Sequence, residues 1–157
     1  MNFVGRWRAG VTFGIVLIGW QTSHAADPGT NKAAVRAAIT KSLPLLLLGA
    51  KTSLAERKEC FTCHNQGLPI MALATARSKG FAIDEDELQR QLHFTADFLA
   101  KNRERYREGR GQAGQTFMAG YAAWALHYGK WPVDETTTAV AEYFLIHQRD
   151  LDHWNSH

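Results

Sequence analysis

The chain has 157 residues, 18 of them Lys or Arg against 15 Asp or Glu, and only two cysteines. Two of the cations, Arg6 and Arg8, fall in the first 25 residues; without that segment 132 residues remain, with 16 basic and 15 acidic side chains. That is one domain's length with almost no net charge, which argues against a nucleic-acid partner.

Read from the N-terminus, Arg6 and Arg8 form a basic region ahead of the apolar stretch Val11 to Trp20. Ser23-His24-Ala25 supplies small residues at the two positions a signal peptidase reads, so residues 1–25 are expected to be a signal peptide cleaved after Ala25. The apolar stretch is about ten residues, half of the ~20 a spanning helix needs; an uncleaved anchor is the alternative. Residues 26–157 are expected to form a single α-helical domain.

Val35, Ile39, Leu43 and Leu46 have helical spacing, and Pro44 is expected to kink or restart that helix. No later segment reads as long and apolar enough to cross a membrane, because Leu43 to Leu48 is only six residues and contains Pro44. A charged stretch then leads into Cys60-Phe61-Thr62-Cys63-His64. Gly67, Leu68 and Pro69 read as a turn, with Pro69 suited to a first helical turn, followed by a short helix that stops at Gly80. Asp84 and Glu87 have capping-box spacing and open a helix whose stripe is Leu88, Leu92, Thr95 and Leu99. That helix is expected to run out through Lys101, Arg103, Arg105, Arg107 and Arg110. Interleaved Glu104 and Glu108 suit a solvated end, with an acidic docking partner as the rival reading.

Gly109, Gly111 and Gly114 mark a loop without the features of a phosphate loop. Phe117, Tyr121, Trp124 and Tyr128 form an aromatic stripe on the next helix, read as core packing ahead of cofactor lining. Gly129 to Pro132 breaks it, Asp134 caps the last helix, and Val140, Phe144, His147 and Leu151 mark that helix's buried side. No strand pattern appears.

Cys-x-x-Cys-His resembles the haem-attachment site of c-type cytochromes. The region from about Ala33 to Trp154 is also similar to bacterial proteins that join such a motif to helical repeats of the prenyltransferase and squalene–hopene cyclase type. Leu68-Pro69-x-Met71-Ala72, Ala119-Gly120-Tyr121-Ala122 and Tyr143-Phe144-Leu145-x-x-Gln148 with Trp154 carry that likeness. Asp152 stands where the Gln-Trp repeat has glycine, and no DxDD-type acid motif is present, so cyclase activity is not expected. The implied fold is all-α: helical hairpins in a partial α/α-toroid-like architecture around a covalently bound haem.

The cytochrome resemblance implies one haem c, with Cys60 and Cys63 in thioether bonds and His64 as the proximal iron ligand. Maturation of such a motif outside the cytoplasm agrees with the leader, so a periplasmic or otherwise exported protein is expected. Zinc is the weaker use of the pair because no second CxxC completes four ligands, and a redox dithiol lacks its βαβ setting. Met118 is the first candidate for the distal iron ligand and His93 the alternative; His127 and His147 are further histidines on later helices, and Met71 sits too near His64 in sequence. The expected role is electron transfer to redox partner proteins of the cell envelope, as a carrier and not an enzyme, with no stable membrane span after leader cleavage. The alternatives are a small-molecule sensor or enzyme with an open sixth iron site, and an α/α-repeat binding module with structural haem.

Overall fold

The computed structural model describes residues 28–57, 60–148 and 152. The expected leader, residues 1–25, lies outside them, as do Leu151, His153, Trp154 and His157. All secondary structure among the described residues is helical.

The first helix, α1 (Pro28–Glu56), passes through Pro44 unbroken, contrary to the expected kink or restart. Pro44 removes one amide donor, but the acceptor it abandons is the carbonyl of Thr40, an exposed residue that water can reach. Joining the two halves changes the membrane reading as well. Asn31–Glu56, 26 residues, is long and apolar enough to cross a bilayer by length and composition, and little of it is buried. Its C-terminal half nevertheless packs on the protein: Ala50 and Ser53 are buried, and Lys51 reaches Asp84 at 3.1 Å.

A short π-helical turn (Cys63–Gly67) leads directly into α2 (Leu68–Ser78). The helix α2 ends as expected at Gly80. Gly80 adopts φ 75°, its N–H donates to the Arg77 carbonyl, and the Phe81 N–H donates to Ala76, both at 3.0 Å. That pair is a Schellman closure. The helices α1 and α2 form an antiparallel hairpin: Ser53 near the end of α1 is bonded to Gln66 just before α2, while Arg36 near the start of α1 lies 4.4 Å over the ring of Phe81 just beyond α2.

The third helix, α3 (Glu85–Ala100), carries the expected cap at Asp84, whose Oδ1 accepts the Glu87 N–H at 3.0 Å. That bond, with the Lys51 ammonium beside it, holds the Asp84 carboxyl below its usual range. Glu87 does not complete the box. Its carboxylate turns inward, 2% exposed, and accepts from Arg90 and from Gln91 Nε2 at 2.7 Å. Nor does α3 continue through the basic run: it stops at Ala100, Asn102 Nδ2 donates to the Phe98 carbonyl, and a separate short helix, α4 (Arg103–Arg107), follows. The last two helices are α5 (Gln115–Gly129) and α6 (Glu135–Gln148). Asp134 caps α6 reciprocally: its Oδ1 accepts the Thr137 N–H at 2.8 Å while its own N–H donates to Thr137 Oγ1 at 2.9 Å.

The core joins α2, α3, α5 and α6 around Ile70, Leu88, Leu92, Leu99 and Leu126, with the rings of Tyr106 and Tyr143 in tilted contact at 5.4 Å between α4 and α6. Apart from Leu126, the side of α5 that enters it is made of small residues, among them Ala119, Ala122, Ala125 and Gly129. The aromatic stripe is therefore not core. Phe117, Trp124 and Tyr128 are exposed and Tyr121 is only half-buried, because α5 approaches its neighbours too closely to admit rings on the packed side. A Cβ on Gly129 would fall 2.2 Å from Leu92 Cδ2, and Leu92 is itself fully enclosed. Gly129→Ala is expected to lower stability by about 1–3 kcal/mol in chemical denaturation, with helical circular dichroism retained.

Candidate functional site

The Cys-x-x-Cys-His segment occupies the bend of the α1–α2 hairpin, and its residues alternate between two jobs. Phe61 is 1% exposed, with its ring 5.6 Å from that of Phe98 on α3. Thr62 is also buried and extended (φ −127°, ψ 132°), after which the chain tightens into the π-helical turn. Cys60 and His64 are exposed, and Cys63 is half-buried. The two intervening residues thus anchor the loop, while the two thiols and the imidazole are left accessible.

A residue overlooked in the sequence holds this arrangement. Gln66 is fully buried, and its Oε1 accepts the Thr62 N–H at 2.8 Å and also the Thr62 hydroxyl. Its Nε2 donates to Ser53 Oγ on α1 at 2.9 Å. One amide therefore ties both ends of the turn to each other and the turn to the neighbouring helix. The backbone repeats the closure, with the Gln66 and Gly67 N–H groups both donating to the Thr62 carbonyl, at 3.0 and 3.2 Å. The space around Gly67 is tight. A Cβ there would lie 3.1 Å from Phe61 Cζ and 3.7 Å from the Tyr121 carbonyl oxygen of α5. Gly67 and Leu68 are helical, not the expected turn, while Pro69 sits as expected in the first turn of α2, where a missing donor is tolerated.

Both thiols are free. Cys63 Sγ lies 3.8 Å from His64 Nδ1, which leaves Nε2 without a hydrogen-bond partner among the described residues. No three His, Cys, Asp or Glu side chains converge as a metal-ligand set among the described residues. A porphyrin iron asks only one imidazole of this turn, so the donor set present, two accessible thiols and an adjacent exposed imidazole, fits covalent haem.

Beside the turn, α1, α2 and α5 enclose an open groove of about 850 Å³. Ile39, Leu43 and Leu46 of α1, Leu68 and Met71 of α2, and Trp124 and Tyr128 of α5 make its walls almost wholly apolar. Neither distal-ligand candidate lines it. Met118 is half-buried and packs against the core, whereas His93 is exposed on α3 with its ring edge-on to Trp131 at 4.9 Å. His147 is occupied elsewhere, its Nε2 2.9 Å from the Gly109 carbonyl oxygen.

The basic run is largely paired within the protein. Arg103 bonds Glu135 at 2.8 Å, Arg107 bonds Glu104 at 2.7 Å, and Arg110 bonds Glu108. These are exposed pairs of small energetic weight, and they favour the solvated helix end over an acidic docking partner.

Comparison with family models, curated proteins and solved structures gives no match to this chain. Gln66→Ala would strand the Thr62 N–H and hydroxyl and the Ser53 hydroxyl in a buried site. It is expected to cost about 2–4 kcal/mol in chemical denaturation, whereas Asn65→Ala, next to it and half-exposed, costs under about 0.5 kcal/mol.

Proposed function

We propose that the chain is an exported c-type cytochrome-like protein that carries one haem, covalently held by Cys60 and Cys63 with His64 on the iron, and that it transfers electrons between proteins of the cell envelope. The observation that carries this reading is the division of labour in one short segment: Phe61, Thr62 and Gln66 are buried and held, while Cys60 and His64 are exposed and the half-buried Cys63 keeps a free thiol beside the imidazole.

Each thiol would add its S–H across one porphyrin vinyl group, the sulfur bonding to carbon and the proton to the neighbouring carbon, with no leaving group. His64 would offer the Nε2 lone pair, which requires the imidazole to be unprotonated at that atom. Gln66 and Phe61 keep the segment from yielding when these bonds form. Bound there, iron porphyrin supplies a one-electron Fe(III)/Fe(II) couple.

The likeness to incomplete α/α toroids is supported at the level of architecture by the α1–α2 hairpin; fold does not carry function with it. A second reading, small-molecule binding at an open sixth iron position, is favoured by one observation: neither Met118 nor His93 lines the groove beside the turn.

Expression of the full chain in a host competent for cytochrome maturation is expected to give a coloured protein with one added porphyrin mass and a haem c pyridine haemochrome. Cys60→Ser with Cys63→Ser should remove both, and His64→Ala should keep the mass while altering the spin state. A colourless wild-type protein overturns the assignment. A reduced spectrum indifferent to carbon monoxide selects electron transfer, and a carbon monoxide-sensitive one selects the sensing or enzymatic alternative.

A further inference from the structure

We propose that the apolar groove between α1, α2 and α5 is the bed of the haem macrocycle, with Trp124 and Tyr128 as its outer wall and Lys79 as the counter-charge for the porphyrin carboxylates. The proposal rests on the covalent-haem reading above and adds where the bound group lies and which residues enclose it.

Position is the first argument. The thiols and imidazole sit at the bend of the α1–α2 hairpin, and the groove runs between the two arms of that hairpin. Its near end is bounded by Leu68, about one turn beyond His64, and by Leu46 on the opposite arm. From there Leu68, Met71 or Ala72, and Thr75 follow one face of α2, and His64 precedes Leu68 by four residues in the π-helical turn that leads into it. The groove floor thus starts about one turn beyond the His64 imidazole and continues along α2.

Chemistry is the second. A cavity of about 850 Å³ falls within the ~300–1,000 Å³ of cofactor sites, and its walls are nearly all hydrocarbon or aromatic. Leaving that surface to water is unfavourable, whereas a flat apolar ring would bury it. Lys79 is the one cation among the lining residues, no carboxylate lines the groove, and Lys79 makes no ion pair among the described residues. It lies beyond the C-terminal end of α2, remote from the cysteines, where the far edge of an attached group would arrive. Lys130 borders an adjoining cleft that shares Thr75 and Tyr128 with the groove, so a second cation stands near the same end. An apolar body with an anionic edge fits this distribution of charge.

The aromatic ladder is the third. Tyr121 to Trp124 and Trp124 to Tyr128 have ring centroids 6.3 and 5.9 Å apart. The ladder begins beside the π-helical turn, where the Tyr121 carbonyl oxygen packs against Gly67, and ends in the groove. Packing turns these rings outward, and from the attachment turn to the groove wall they offer a planar group a face to lie against.

The test uses the matured full-length holoprotein. Ala72→Phe and Ala38→Phe each add a ring at an exposed helix position that lines the groove, on opposite arms of the hairpin, so folding should survive; Ala141→Phe on the exposed side of α6 is the control. Intact mass reports attachment, and Soret circular dichroism reports the asymmetric surroundings of the ring. The expected result is porphyrin mass in all four proteins, with the Soret signal at least halved or inverted in Ala72→Phe and Ala38→Phe and unchanged in Ala141→Phe. Lys79→Glu should in addition lower the midpoint potential. Porphyrin mass with a wild-type Soret signal in both groove variants overturns the bed assignment and leaves the attachment standing. A wild-type protein without porphyrin mass removes the reading beneath it. Dimerisation, or binding to phosphatidylglycerol vesicles, that Ala72→Phe abolishes without touching the Soret signal gives the groove to a second copy or to lipid, and also overturns the proposal.

Discussion

The amide of Gln66 is the contact around which the candidate site is organised. Three groups that would otherwise be buried without partners, the Thr62 N–H, the Thr62 hydroxyl and the Ser53 hydroxyl, all meet it. In a water-free setting each unsatisfied polar group costs about 1–3 kcal/mol, so the loop has little freedom to rearrange while the core is intact. The consequence reaches outward. With Phe61 and Thr62 turned to the interior, Cys60 and His64 face solvent and Cys63 stays half-buried beside them.

Close approach of helices is the second constraint. The alanine and glycine face of α5 lets it settle against α2 and α3, with Gly129 admitting Leu92 where a methyl group could not stand. A helix that packs by its smallest residues must turn its largest ones elsewhere. That is why four aromatic side chains lie on the outward or half-buried side of α5, and why two of them finish in an apolar groove. The groove is thus a by-product of tight packing one helix away.

Charge is arranged locally and mostly neutralised. Glu87, enclosed at 2% exposure, draws on Arg90 and Gln91, with Lys51 of α1 at 4.0 Å. This cluster links α1 to the start of α3, close to the Asp84 cap. The arginines around α4 find partners within a few residues or on α6. Lys79 stands apart from both groups.

Local chemistry made much of this protein legible in its residues. Helical spacing, the Asp84 and Asp134 caps and the Gly80 stop depend on neighbours three to five positions away, and the structure carries all of them. The Cys-x-x-Cys-His string and the accessible types it contains are likewise a matter of adjacent residues. What failed or stayed hidden depends on exposure, on a local side-chain bond or on partners far along the chain. Pro44 does not break α1 because its orphan acceptor faces solvent, α3 stops short of the basic run, and the ring stripe of α5 points outward because the other side is filled by Leu92 and its neighbours. Gln66 and Asn65 look alike as sequence; only the π-helical register and the presence of Ser53 across the hairpin bury one and leave the other half-exposed. Residue type and spacing set the available chemistry, while burial, which is a property of elements brought together from distant segments, decided which side chains were free to use it.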